Sequence, residues 1–128
     1  MLFELGAFQL HSGGESSFRI NCDALTPEDW AALAKIAADR LPPFGAVTGI
    51  YRGGVPFAHH LWKYSSQAGR NPLLLVDDVW TTGNSMRTER DSLGDVGEVI
   101  GCVVFARTPV DDWVTPLFQL TPERPSSG

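Results

Sequence analysis

Apolar and polar positions along this chain change period several times, and each change marks an element. Residues 26–41 carry the helical period: Trp30, Leu33, Ala34, Ala37 and Leu41 fall on one face. Thr26 suits an N-cap, Pro27 fits the first turn, Glu28 and Asp29 complement the dipole, and Pro42 and Pro43 end the helix. Residues 46–51 then read as a short strand, Arg52-Gly53-Gly54 as a break, and residues 56–68 as a second helix closed by Gly69. The apolar residues 73–76 read as a strand, residues 84–93 as a polar helix, residues 99–106 as a buried strand and residues 113–120 as a last one. The tail TPERPSSG, residues 121–128, has the composition of a disordered end. Strands alternating with helices predict one α/β domain over residues 1–120, built on a doubly wound, mostly parallel sheet of about four to five strands.

A length of 128 residues suffices for one such sheet with helices on its faces. The net charge of −5, with basic residues scattered singly, argues against a nucleic-acid partner. Positive potential for an anionic ligand therefore has to be local. The first residues, MLFELGAFQL, lack a basic stretch and are interrupted by Glu4 and Gly6, which fits neither a signal peptide nor a membrane span. Cytoplasmic residence is the expectation. Cys22 and Cys102 lie far apart, Cys102 inside an apolar run, and both are expected as free buried thiols. His59 and His60 are expected on the face of the second helix.

Chemistry concentrates in residues 73–86, LLLVDDVWTTGNSM. A buried parallel strand delivers its last residues to the carboxyl edge of the sheet, where open α/β sheets bind ligands. Asp77 and Asp78 placed there accept hydrogen bonds from vicinal sugar hydroxyls, while the N–H groups and hydroxyls of Thr81, Thr82, Gly83, Asn84 and Ser85 face an anion at the positive end of the next helix. The GxxxxGK[ST] of P-loop ATPases is absent from the chain, and the acid pair of receiver domains follows a first strand, whereas this pair sits past the middle. The stretch resembles the phosphoribosyl-diphosphate (PRPP) motif of type I phosphoribosyltransferases, in which a hydrophobic run and an acidic pair precede a Thr-Gly loop. The resemblance implies that Asp77 and Asp78 hold the ribose 2′ and 3′ hydroxyls and that Thr81, Thr82, Gly83, Asn84 and Ser85 hold the 5′-phosphate.

Further segments resemble the same family in the same order. GIYRGGVPFA is similar to its pyrophosphate loop, here Tyr51, Arg52, Gly53 and Gly54. Paired glycines let N–H groups approach an anion and Arg52 adds a two-point contact, although the two glycines alone would read as a strand-to-helix turn. FQLHSGGESSFRIN is similar to the hood of orotate phosphoribosyltransferases, which implies a small N-terminal hood over residues 1–25 with His11 and Phe18 near the base. VVFARTPVDDWV resembles the end of oxopurine phosphoribosyltransferases, which implies Arg107 at a base carbonyl and Trp113 stacked on the ring. Oxopurine enzymes carry an Asp where this chain has Thr81, and Thr81-Thr82 is the orotate-type pattern.

These resemblances imply a minimal, orotate-like type I phosphoribosyltransferase of pyrimidine nucleotide synthesis. It would move 5-phosphoribose from PRPP to a nitrogenous base and release pyrophosphate, with Arg52, Asp77 and Asp78 as the catalytic candidates. Mg²⁺ would arrive with PRPP and be held chiefly by ligand oxygens, Asp77 and Asp78 reaching it through water. The implied partners are PRPP, a nucleobase and a second copy of the chain in a homodimer, with no membrane. In one respect the chain departs from the pattern: the family places a further strand and a mobile loop with a catalytic Lys or Arg before the motif strand, and here only residues 65–72 fill that space. A lid of this kind excludes water and brings positive charge to the leaving group. An oxopurine enzyme and a non-catalytic PRPP or nucleotide sensor therefore stay open as alternatives.

Overall fold

The structure, a computed structural model, describes residues 24–66 and 71–120. Its first helix, α1 (Pro27–Arg40), starts on a capping box: the Asp29 N–H donates to Thr26 Oγ1 at 3.1 Å and the Thr26 N–H to Asp29 Oδ2 at 3.0 Å. The expected apolar face is its buried face, with Trp30, Leu33, Ala34 and Ala37 in the core and Leu41 at the C-cap. After it come β1 (Ala46–Gly49), α2 (Val55–Leu61), β2 (Leu73–Trp80), α3 (Asn84–Leu93), β3 (Val99–Ala106) and β4 (Val114–Gln119). The four strands lie in the order β1-β2-β3-β4, each pair parallel.

Successive side chains of a strand face opposite sides, and both sides are covered. Leu74, Val76, Cys102 and Val104 meet α1 and α2, whereas Leu75 and Val103 meet Met86 of α3. The sheet is thus doubly wound. The connections β1–α2–β2 and β2–α3–β3 step the same way across the sheet yet lie on opposite faces, so they have opposite hands and one is of the rare left-handed kind. Between β3 and β4 there is no helix; residues 107–113 run back across the second face, where Val110 and Trp113 pack.

Three boundaries differ from the sequence pattern. β1 stops at Gly49 because the Gly54 N–H turns back to the Ile50 carbonyl at 2.8 Å; the Tyr51–Arg52 peptide that follows is cis. The second helix ends early, passing at Trp62–Tyr64 into a 3₁₀ turn that Ser65 closes through a 2.7 Å bond from its Oγ to the Trp62 carbonyl. β2, by contrast, continues through both acids to Trp80, since Val79 and Trp80 still pair with Phe105 and Ala106.

The link from α2 to β2 is fastened at both ends near the start of β1. The Ser66 N–H donates to the Phe44 carbonyl at 2.9 Å, and the Gly45 N–H to the Pro72 carbonyl at 2.9 Å. Ser66 and Pro72 are therefore held at the amino edge of the sheet, opposite the edge where Asp77 and Asp78 emerge. Cys102 is a free, buried cysteine, and burial pushes its thiol up to about 12. The expected hood with His11, Phe18 and Cys22, and the expected tail, lie outside the described residues. No helix among the described residues is long and apolar enough to cross a membrane.

Candidate functional site

At the carboxyl edge β2 presents its acid pair. Asp77 is only 7% exposed; its Oδ1 accepts the Asp78 N–H at 2.8 Å, and Asp78 Oδ1 accepts the Val79 N–H at 2.8 Å. Burial, then the hydrogen bond to Asp78 and the charge of that neighbour, pushes the Asp77 carboxyl up to about 8. The protonated form is thereby favoured at Asp77, and a protonated carboxyl donates as well as accepts. The pair offers both roles to a diol.

The glycine loop presses its main chain against these acids. A Cβ on Gly53 would stand 2.5 Å from Asp78 Oδ2, and one on Gly54 would stand 2.5 Å from the Val76 carbonyl oxygen. Only glycine allows an approach this close. Tyr51 and Arg52 are exposed on the rim, Tyr51 at 86%.

On the other side of Asp77 the chain turns into α3 through Gly83, whose φ is 87° and whose Cβ would lie 2.4 Å from the buried Trp80 ring. Among the described residues no side chain caps Gly83, and the Asn84 N–H donates to Thr82 Oγ1 at 3.3 Å. Asp77, Trp80, Thr81, Thr82, Gly83, Asn84 and Ser85 line one small concavity here, with Thr81, Thr82, Asn84 and Ser85 exposed. The open start of a helix that is 10 residues long, facing a concavity, suits an anion.

Arg107 follows β3 at the same edge, its N–H donating to the Trp80 carbonyl at 2.8 Å. Trp113 sits lower. Its carbonyl accepts the Gly101 N–H at 2.7 Å, and Gly101 pairs with Leu75, two residues before Asp77. Its indole N–H donates to Asp111 Oδ2 at 3.3 Å, and the Arg90 guanidinium lies 4.5 Å from its ring centroid. The structure thus brings Arg52, Gly53, Gly54, Asp77, Asp78, residues 81–85 and Arg107 to one edge, with Trp113 packed below.

Sequence reasoning passed over Arg87. Its Nε and Nη2 hold Asp111 at 2.8 and 2.7 Å, its Nη1 donates to the Thr82 carbonyl at 3.1 Å, and its guanidinium lies 5.2 Å from the Trp80 ring centroid. A signal was present: an arginine near the start of a helix runs against the dipole preference. Among the described residues no cluster of three or more His, Cys, Asp or Glu could hold a metal. An acid pair with no third ligand beside it among those residues fits a Mg²⁺ that arrives on its ligand's oxygens and touches the protein through water.

A parallel sheet that sets an acid pair, a glycine loop and an open helix start along one edge has the fold of the type I phosphoribosyltransferases. Solved structures with this fold include a phosphoribosyltransferase from Corynebacterium diphtheriae, at 18% identity and a TM-score of 0.65 over 82% of this chain and 84% of that one. The orotate phosphoribosyltransferase of Aeropyrum pernix matches at 19% identity and a TM-score of 0.64, over 82% of this chain and 80% of that one. The xanthine-guanine-hypoxanthine phosphoribosyltransferase of Helicobacter pylori matches at 19% identity and a TM-score of 0.52, over 76% and 82%. At such identities the likeness is one of fold. No family model and no curated protein matches the sequence.

Proposed function

We propose that the chain is a phosphoribosyltransferase that uses PRPP and an orotate-like base. The observation that carries this reading is the contact of Gly53 and Gly54 with the acid pair, beside the open start of α3. It puts the glycine loop on one side of the acid pair and the helix start on the other, the order in which we assign a diphosphate, a ribose and a 5′-phosphate. Arg52 and the N–H groups of the glycine loop hold the pyrophosphate, Asp77 and Asp78 the ribose hydroxyls, and residues 81–85 the 5′-phosphate. Mg²⁺ bound with PRPP supplies neutralising charge on the diphosphate. The base nitrogen attacks C1′ as the C1′–O bond to pyrophosphate breaks, its ring N–H proton passing to water, and the chain's own contribution is positioning and charge stabilisation. Arg107 faces the base, the resemblance adds His11 and Phe18 as base contacts from outside the described residues, and Thr81 favours orotate over an oxopurine.

Incubation with PRPP, Mg²⁺ and a panel of bases, read by mass spectrometry, tests this. Orotidine 5′-monophosphate with pyrophosphate is the expected product, and purine nucleotides would move the reading to an oxopurine enzyme. PRPP binding without any product would favour a sensor, a reading supported by the anchoring of Ser66 and Pro72 at the amino edge, away from the acid pair. We place the protein in the cytoplasm as a homodimer. Supporting the dimer, the exposed large hydrophobics among the described residues, Tyr51, Val55, Trp62 and Tyr64, all fall on one stretch. Val55 and Trp62 line a groove of about 470 Å³ along the outer edge of β1, which has no second neighbouring strand among the described residues.

A further inference from the structure

The phosphate loop is held by two side chains that bond to its main-chain carbonyls. Thr108 Oγ1 donates to the Thr81 carbonyl at 2.6 Å, and Arg87 Nη1 donates to the Thr82 carbonyl at 3.1 Å. A trans peptide is planar, with its N–H opposite its C=O. Drawing the Thr81 carbonyl outward turns the Thr82 N–H inward, and drawing out the Thr82 carbonyl does the same for the Gly83 N–H. Two donors of the anion cradle are thereby aimed before any ligand arrives.

Arg87 is itself fixed. Asp111 grips its Nε and Nη2 in a two-point contact at 2.8 and 2.7 Å, and Asp111 also accepts the Trp113 indole N–H at 3.3 Å. Asp111, Thr108 and Arg107 all belong to residues 107–113, and the Arg107 N–H is bonded to the Trp80 carbonyl at 2.8 Å. The segment facing the base and the loop facing the phosphate are joined as one body.

We propose that Arg87, Asp111 and Thr108 form a latch of positioning residues that presets the phosphate loop and ties it to the 107–113 segment. The inference rests on the phosphoribosyl reading only for the identity of the anion, since the latch itself is a property of the unliganded chain. A cradle preset in this way needs no reorganisation when charge arrives. The ion pair is partly exposed, at 48% and 30%, so its loss would affect overall stability little. Its effect should be local.

Hydrogen exchange on the unliganded protein, with calorimetry using ribose 5-phosphate, tests the latch in Arg87→Ala, Arg87→Lys, Asp111→Asn and Thr108→Val. Amides of residues 81–85 should exchange about tenfold faster or more in Arg87→Ala and Asp111→Asn, and ribose 5-phosphate affinity should fall about tenfold, with the thermal midpoint nearly constant. Lysine keeps the charge but not the planar fork, so Arg87→Lys should recover only part of both losses. Unaltered exchange at residues 81–85 in both Arg87→Ala and Asp111→Asn overturns the latch. Faster exchange there, with no ribose 5-phosphate binding even by the wild-type chain, supports the latch and overturns the phosphoribosyl reading instead.

Discussion

Replacing Gly53 and Gly54 by alanine, one at a time, separates ligand binding from folding within two adjacent residues. Neither has a positive φ, so neither substitution strains the backbone by its dihedrals. What differs is the atom each new Cβ meets. At Gly53 it meets the Asp78 carboxylate at 2.5 Å, a side chain that swings aside and gives up its bond to the Val79 N–H. That bond is worth about 0.5–1.5 kcal/mol net. A hydroxyl bonded to a charged acceptor contributes about 1.5–3 kcal/mol, so losing the Asp78 contact should weaken ribose 5-phosphate binding roughly 10- to 150-fold.

At Gly54 the Cβ meets the Val76 carbonyl oxygen at 2.5 Å and the Ile50 nitrogen at 2.8 Å, the two ends of a hydrogen bond 2.9 Å long that ties the residue after β1 to β2. No rotation relieves that overlap. Overpacking of about 1–3 kcal/mol adds to the weakened bond, and at roughly 4 °C per kcal/mol the midpoint should fall on the order of 10 °C. Differential scanning fluorimetry and calorimetry on the two purified variants read both effects. Wild-type affinity in Gly53→Ala would remove Asp78 from the ribose site, and equal midpoints in the two variants would refute the distinction between side-chain and main-chain overlap.

Three further outcomes are expected. The Asp77 carboxyl sits at about 8 in the fold against an ordinary 3.8, so between those values the folded chain keeps a proton that the unfolded chain has lost. Stability should therefore fall as the pH rises through that window, by at most about 1.4 kcal/mol per pH unit, and level off above it; Asp77→Asn should flatten the midpoint-versus-pH curve, and an unchanged slope would contradict the assignment. Arg52→Ala should lower kcat more than it weakens PRPP binding, because charge grows on the departing pyrophosphate, with Arg52→Lys intermediate; an unchanged kcat in a folded Arg52→Ala protein would rule out that role. Light scattering at micromolar concentration should give a dimer, and Trp62→Glu should shift it toward monomer; a wild-type monomer with full activity would count against the β1 edge as an interface.

The parts of the fold that were legible in the sequence are those fixed by near neighbours. α1 was readable because its cap, its dipole-matching acids and its apolar face all lie within one stretch. The acid pair was readable because an apolar run ends in it. The length of α2 was not, since no helix breaker stands before Gly69 and the chain is instead turned by Ser65 and by the distant bond from Ser66 to Phe44. Nor was the end of β2, where pairing with β3 carries the strand through residues whose pattern reads as a turn. Arg87 with Asp111, and Thr108 with Thr81, are separated by 24 and 27 residues, and exposed polar pairs at such distances leave no periodic trace. An aromatic such as Trp113 gives no sign in the sequence that Arg90 lies over its ring.

Trp80 equips the phosphate loop with an optical reporter of its own. Its indole is 1% exposed, and its N–H has no partner among the described residues. Gly83 rests against the six-membered ring, and the Arg87 guanidinium lies on the indole at 5.2 Å. Excitation of an indole moves charge across the ring, so its emission responds to the field of an anion settling a few atoms away. The other tryptophans are placed elsewhere: Trp30 in the core under α1, Trp62 on the outer groove, Trp113 beneath Arg90. The spectrum of the wild-type chain minus that of Trp80→Phe therefore isolates the loop. Titrating inorganic phosphate against that difference would report occupancy of the cradle by light alone, without label, base or turnover.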